Sequence, residues 1–425
     1  MAIFISQALP VSLTVVSRHP GSIPRQKASP LTKPEDHPAQ VGHNTRLVHS
    51  GGNPREAHGF VNTPVYHGST VLYPDTQTMR NRGQKYTYAL RGTPTTDALE
   101  EALDGLEGSS GTILLPSGLA AVTVPLLAFL SAGDHVLIVD SVYTPTRRFA
   151  DTVLKRMGVA VEYFDPAGGA EGLAGLMRKE TRVVFLEAPG SNTFEMMDIR
   201  AASDVAHAGD AVVMIDNTYA TPLYFRPLDH GVDLSIHALT KYPGGHSDVM
   251  MGSVSANAAT YPRLRDTQMT LGINAAPDDT YLVLRGLKTM GIRLERHQAS
   301  ALELARWLET RHEVARVLHP ALPSFPGHDL WKRQFAGSSG LFSIVLNGGG
   351  MEAASAFLDT LKLFGLGYSW GGFESLAVVA DLSDRIVATA PKEGEVIRLQ
   401  VGLEDVEDLK ADLEAGLRAI GSRTA

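Results

Sequence analysis

His135-Val136-Leu137-Ile138-Val139-Asp140 is an unbroken apolar run closed by a carboxylate. A strand with one wet face alternates apolar and polar residues. A continuous run therefore reads as a strand covered on both faces, the setting of a parallel sheet. Thr112-Ile113-Leu114-Leu115 and residues 159–164, 182–186 and 211–216 are further short β-rich runs. Between them, residues 96–106 and 119–130 carry apolar side chains at helical spacing. This alternation predicts crossover connections and an α/β fold with a mostly parallel central sheet. In such sheets ligands sit beyond the carboxyl ends of the strands. Asp140, Glu187 and Asp216 all fall at such ends.

Beyond about residue 287 the texture changes. Residues 292–311 predict a long amphipathic helix, and a final helix starts near Val406. Phe342-Ser343-Ile344-Val345-Leu346 and Val396-Ile397-Arg398-Leu399-Gln400 read as strands of a smaller α+β domain. No internal repeat is visible. The first 33 residues hold Arg18, Arg25, Lys27 and Lys33 but no acid, and Pro10, Pro20, Pro24 and Pro30 interrupt any periodicity. Residues 1–42 are therefore expected to be a disordered extension. The opening Met1-Ala2-Ile3-Phe4-Ile5 lacks the charged leader and long apolar core of a secretory signal.

Composition narrows the function classes. The 425 residues are 44% hydrophobic, ample for a large core. With 46 acidic and 38 basic residues the net charge is −8, and no basic stripe interleaves with aromatics, so nucleic acid is not expected as a partner. No apolar run is long enough to predict a membrane span. There is no cysteine, which excludes disulfides, thiolate nucleophiles and Cys-ligated metals and fits a cytoplasmic address.

Several motifs are decoys. Gly367-Tyr368-Ser369-Trp370-Gly371 matches the nucleophile elbow of α/β-hydrolases, but that fold needs its histidine after the serine, and the last histidine here is His328. His312-Glu313 begins a zinc-protease pattern that Arg316 breaks. No other histidine spacing suggests ligation, so no metal is expected. Gly168-Gly169-Ala170-Glu171-Gly172 reads as an ordinary loop rather than a phosphate cradle.

One lysine has a more telling address. Lys241 follows a strand-like run in Ser235-Ile236-His237-Ala238-Leu239-Thr240-Lys241-Tyr242-Pro243-Gly244-Gly245. Upstream, Asp216 ends another strand and continues into Asn217-Thr218. A lysine can form a Schiff base with an aldehyde cofactor, and a carboxylate can hold a pyridine nitrogen protonated; pyridoxal phosphate needs both. Thr240 offers a hydroxyl for phosphate. Pro116-Ser117-Gly118-Leu119-Ala120-Ala121 offers backbone N–H groups where a helix begins after a strand. Tyr143, just past Asp140, is placed to stack on a ring.

Together these residues resemble the cystathionine lyase/synthase family of pyridoxal-phosphate (PLP) enzymes, from about residue 45 to 416. The likeness is densest in Tyr88 with Arg91-Gly92-Thr93-Pro94-Thr95, in Leu115-Pro116-Ser117-Gly118-Leu119-Ala120-Ala121-Val122, and in Asp216-Asn217-Thr218. It continues in Thr240-Lys241-Tyr242 with Gly245-His246-Ser247-Asp248, in Tyr368-Ser369-Trp370-Gly371-Gly372, and in Ile397-Arg398-Leu399. The resemblance implies a fold-type I PLP-dependent transferase-like architecture. Residues 43–92 would form an arm contacting a neighbouring subunit, 93–287 the large PLP-binding domain, and 288–425 the small domain. It implies a homotetramer, a dimer of dimers, with active sites shared between subunits.

By position, Lys241 would be the Schiff-base lysine and proton carrier and Tyr143 the stacking ring. Asp216 would pair with the pyridinium, with Thr218 beside it. Gly118, Leu119 and Thr240 would hold the phosphate, with Tyr88 and Arg91 near it from the partner. Arg398 would clamp the α-carboxylate of a small amino-acid substrate, with Ser369 and Trp370 lining the pocket. The implied reaction is β-elimination of cystathionine to homocysteine, pyruvate and ammonia, in transsulfuration and methionine biosynthesis. The alternative is a related β- or γ-eliminating lyase acting on a different substituted amino acid.

The chain departs from the family pattern at several points. Leu90 stands where the family's Tyr-x-Arg places its arginine, and Arg91 would point elsewhere if that segment were extended. Met269 stands where a tyrosine is common and Tyr219 where a tryptophan is frequent. Ala188 replaces a small hydroxyl residue, and Pro243-Gly244 a bulkier pair. These departures leave the machinery intact and leave the substrate and the choice between β- and γ-elimination open.

Overall fold

The computed structural model describes residues 41–422. The expected extension over residues 1–42 therefore lies, except for its last two residues, outside the described residues. The central sheet has seven strands: β1 (Gly111–Leu115), β2 (His135–Val139), β3 (Ala160–Phe164), β4 (Thr181–Glu187), β5 (Val212–Asp216), β6 (Leu234–Ala238) and β7 (Gly252–Ala256). Their spatial order is β1-β7-β6-β5-β4-β2-β3. Five of them form a continuous parallel run, β3-β2-β4-β5-β6, and β7 lies antiparallel between β6 and β1. The apolar runs explain this layer. Every residue of β1 and β2 is buried, because helices cover both faces.

The strand β7, Gly252-Ser253-Val254-Ser255-Ala256, carries no apolar run, yet it is fully buried. One of its two serines has a polar partner; Ser255 Oγ meets Thr112 Oγ1 at 2.7 Å. Ser235 and His237 of β6 bond Glu107 of the Pro94–Glu107 helix, so the interior beside this edge is hydrogen-bonded rather than oily. The stretch read as a loop at 168–172 instead starts a helix, Gly169–Leu176, which buries Leu173. A single apolar anchor and one covering neighbour suffice for a short helix that glycine propensity alone disfavours.

A second sheet has β8 (Val314–Leu318), β9 (Leu341–Leu346), β10 (Gly365–Leu366), β11 (Leu376–Val379) and β12 (Val396–Gln400), in the order β10-β11-β12-β9-β8. Helices Met290–Leu308, Gly350–Thr360 and Val406–Ser422 contribute to the core that covers it, together with Phe342, Ile344, Phe357 and Ile397. The central sheet positions the site. Strands β2, β4, β5 and β6, and β1 in the same sense, all end at one edge, so Gly118, Tyr143, Glu187, Asp216 and Lys241 leave the sheet on the same side. No described helix is long and apolar enough to cross a membrane.

Candidate active site

Asp140 ends β2 but does not face a ligand. It is fully buried and accepts Arg147 Nη2 at 2.5 Å and the backbone N–H groups of Ile386, Val387 and Ala388 at 3.0, 2.8 and 2.6 Å. Burial pushes its carboxyl up, and these donors outweigh that and hold it below its ordinary value. Asp140 thereby ties the 386–388 loop to the strand end that carries Tyr143.

Tyr143 begins the Thr144–Phe149 helix, with its ring half exposed and its backbone N–H donated to Glu187 Oε2 at 2.8 Å. Asp216 lies across from Glu187 in register. Its Oδ1 accepts the Thr218 hydroxyl at 2.5 Å and the Thr218 N–H at 3.0 Å. Thr218 Oγ1 in turn accepts the N–H of Ala238 at 2.9 Å, which fixes the carboxylate relative to β6.

Lys241 sits on the turn after β6. Its Nζ donates to Ser369 Oγ at 2.6 Å and lies 5.2 Å from the centre of the Trp370 ring. Burial first, then the Arg398 charge, push the amine down to about 8, against the pull of Asp216. Ser369 adopts a left-handed φ of 76°. Gly371, also left-handed, presses onto the turn; a Cβ there would lie 2.9 Å from the Tyr242 nitrogen. Arg398, on β12, donates from Nη2 to the Ser369 carbonyl at 3.2 Å and from Nη1 to Asn192 Oδ1 at 3.5 Å.

Ser117 caps the Gly118–Phe129 helix by accepting the N–H of Ala120 at 3.1 Å. The Gly118 and Leu119 N–H groups have no acceptor among the described residues. A Cβ on Gly118 would fall 2.6 Å from the Ala238 Cβ, so glycine lets the helix start close against β6. Thr240 is less free than its position suggests. Its hydroxyl donates to the Met251 carbonyl at 3.2 Å and accepts the Met251 N–H at 3.0 Å. To serve a phosphate, its proton has to turn away from Met251.

These residues fit pyridoxal phosphate. A helix start with two free N–H groups suits the phosphate, Asp216 suits the ring nitrogen, Tyr143 the ring face, and the half-buried Lys241 amine the aldehyde. The structure thus brings together Lys241, Ser369, Trp370 and Arg398, and separately Asp216 with Thr218. Among the described residues no hydrogen bond or ion pair joins the Tyr88 or Arg91 side chain to Lys241, Asp216, Tyr143 or Arg398. The segment after Tyr88 is not extended. Residues Ala89–Arg91 form a 3₁₀ turn, in which positions three apart eclipse. Leu90 lines a small cavity with Tyr66, Glu100, Arg265 and Gln268, while Tyr88 and Arg91 stay exposed.

Two of the departures have packing explanations. Tyr219 is buried, with its ring 5.6 Å from that of Phe194. Gly244 has no room for a side chain; a Cβ would meet Val249 Cγ1 at 2.9 Å and the Leu239 carbonyl at 3.0 Å. Asn192 and Arg293 were not legible from spacing. Arg293 is buried and donates to the Tyr242 and Gly286 carbonyls at 2.8 Å each, which clamps the lysine turn.

The chain is similar to known proteins over most of its length. The model of the family described as "Cys/Met metabolism PLP-dependent enzyme" matches residues 44–418. A putative cystathionine beta-lyase of Rhizobium johnstonii is 65% identical over 383 residues, covering 89% of this chain and 96% of the relative. Cystathionine beta-lyase MetC of Escherichia coli is 42% identical over 390 residues, covering 89% and 98%. Among solved structures, cystathionine gamma-lyase from Lactobacillus plantarum, complexed with L-serine, superposes with a TM-score of 0.84 at 30% identity, covering 90% of this chain and 100% of that one.

Proposed function

The chain belongs to the family of Cys/Met metabolism PLP-dependent enzymes, and on that premise we propose that it is a carbon–sulfur β-lyase cleaving cystathionine to homocysteine, pyruvate and ammonia. The observation that carries this is the pairing of Lys241 and Arg398 across Ser369. Lys241 Nζ bonds the Ser369 hydroxyl at 2.6 Å, and Arg398 Nη2 bonds the Ser369 carbonyl at 3.2 Å. An amino acid whose carboxylate docks on Arg398 therefore presents its α-carbon to the lysine amine.

When bound, the cofactor supplies an electron sink for a carbanion at that carbon. The chain's residues do the rest. Arg398 binds and orients the α-carboxylate through two parallel N–H donors. Lys241, with an amine pushed down to about 8, carries an appreciable neutral fraction near neutral pH and takes the α-proton on Nζ. Ser369 holds the amine when it is not engaged, and Trp370 covers it. Asp216, oriented by Thr218, offers its carboxylate to the ring nitrogen, and Tyr143 offers its ring face. The Gly118 and Leu119 N–H groups and Thr240 take the phosphate.

The enzyme works as a cytoplasmic homotetramer of two catalytic dimers. Residues 43–92 form the arm to the neighbour, 93–287 the PLP-binding domain and 288–425 the small domain. Tyr88 and Arg91 complete a neighbouring site, which is supported by their exposure and by the absence, among the described residues, of a hydrogen bond or ion pair to their own chain's site.

Assay of the purified enzyme with cystathionine as sole substrate, with the keto acid identified, tests the proposal. Pyruvate is the expected product. A 2-oxobutyrate product, or turnover only of another substituted amino acid, favours the second reading, a sibling β- or γ-eliminating lyase. Leu90 and Met269 motivate that reading, and the superposition on a structure named for γ-cleavage supports it.

A further inference from the structure

Two carboxylates, Glu187 and Asp216, stand side by side at the site. They are register partners on β4 and β5, and neighbouring strands run about 4.8 Å apart. Register partners on neighbouring parallel strands send their side chains to the same face, and the Asp216 charge bears on Glu187; two buried carboxyls coupled in this way resist ionising together. Donors decide which one keeps its proton. Burial pushes the Asp216 carboxyl up as well, but Asp216 receives the Thr218 hydroxyl at 2.5 Å and the Thr218 N–H at 3.0 Å, and these donors, with Lys241, work against that rise.

Among the described residues Glu187 receives a single donor, the Tyr143 N–H at 2.8 Å, and makes no ion pair. The charged groups bearing on it are Asp216, Arg385 and Glu195. Arg385 is already engaged, with Nη1 on Glu195 Oε1 at 2.6 Å and Nη2 on the Ser191 carbonyl at 3.2 Å and on Thr193 Oγ1. Burial, followed by the Asp216 charge, pushes the Glu187 carboxyl well above its ordinary value.

We propose that Glu187 is a positioning residue that works as an uncharged carboxylic acid: its Oε2 holds the Tyr143 backbone, and its retained proton leaves Asp216 as the single anion offered to the cofactor ring. Tyr143 needs such an anchor. Its ring is half exposed, and it begins its helix without a side-chain cap. A second full negative charge beside Asp216 would also spread the field that must select one protonated nitrogen. The proposal rests on Tyr143 and Asp216 serving the cofactor, and does not depend on which amino acid is cleaved.

Infrared spectroscopy of the cofactor-free and cofactor-loaded full chain at neutral pH tests it. The expected spectrum contains a protonated-carboxyl C=O band that Glu187→Gln removes. Cofactor retention gives a second readout. Glu187→Ala is expected to weaken it about tenfold, the effect of one lost hydrogen bond, and Glu187→Gln to restore most of that loss, since the amide keeps an oxygen for the Tyr143 N–H. Absence of the band from the parent overturns the proposal even if no variant folds. So does a glutamine variant that retains cofactor no better than the alanine variant. Failure to cleave cystathionine affects neither readout, so the two proposals fail separately.

Discussion

Lys241 Nζ donates to Ser369 Oγ at 2.6 Å, a bond between the turn after β6 and the left-handed turn before β11. It parks a half-buried amine next to Arg398, the cation that lowers its proton affinity after burial. The sign of the resulting pH dependence follows. The amine is charged below about 8 and free above it, so acylation of Lys241 in the cofactor-free protein is expected to rise through that range. Arg398→Ala removes a positive neighbour and moves the midpoint to higher pH. A midpoint that stays or falls contradicts the assigned cause.

Thr218 is expected to matter through Asp216. Thr218→Val removes the hydroxyl that donates to the carboxylate and the acceptor for the Ala238 N–H. Ala238 is part-buried, so its amide left without a protein partner costs at most about 1–3 kcal/mol. Thermal or denaturant unfolding should register that loss, and cofactor retention should fall with it. Unchanged stability with unchanged retention would mean that Asp216 is oriented by something other than Thr218.

Asp140 is an anchor, and its removal should act on stability. Asp140→Ala removes the nearest carboxylate of buried Arg147, which keeps Asp384 at 3.5 Å, and the acceptor of the buried Ala388 amide, a change on the order of 1–3 kcal/mol. The pH dependence has a defined sign. The folded-state carboxyl titrates below its ordinary value. Its contribution is therefore fully present above the unfolded-state value of about 4 and is lost as pH falls through the lower folded value. Asp140→Asn should flatten the acid limb of the Tm–pH curve, and an unchanged limb would assign that stability elsewhere.

The 3₁₀ turn at Ala89–Arg91 makes a prediction about a family departure. With Leu90 turned into its own chain and Arg91 exposed beside Tyr88, Arg91→Ala should weaken cofactor retention by about one to two orders of magnitude at most, the roughly 1.5–3 kcal/mol of a charge-assisted hydrogen bond. Leu90→Arg should tighten retention if the phosphate lacks a cation. Retention unmoved by both variants would remove this arm from the cofactor site.

Much of the architecture was legible because burial on both faces leaves a mark on sequence. The runs around Val136–Val139 and Val213–Ile215 are wholly apolar and became central strands. The helix expected at 292–311 appears as Met290–Leu308, and the strand Val396–Gln400 appears with those bounds. β7 left no such mark, since it carries serines in place of an apolar run and Ser255 finds its partner, Thr112, far away in sequence. The Gly169–Leu176 helix left no periodic mark because its glycines obscure the pattern. At the site, residue types and local order pointed to Lys241, Asp216 and Arg398. The contacts that orient them did not show, because Ser369 to Lys241, Asn192 to Arg398 and Asp140 to residues 386–388 are all long-range. Asp140 also showed that a carboxylate at a strand end is not by itself a ligand group.

The most direct test of the account is to load the enzyme with pyridoxal phosphate, reduce it with borohydride, digest it and locate the cofactor mass. The account predicts that the label sits on Lys241 and is lost in Lys241→Ala while the fold persists. A label on another lysine, or none on a protein that retains the cofactor, would contradict it.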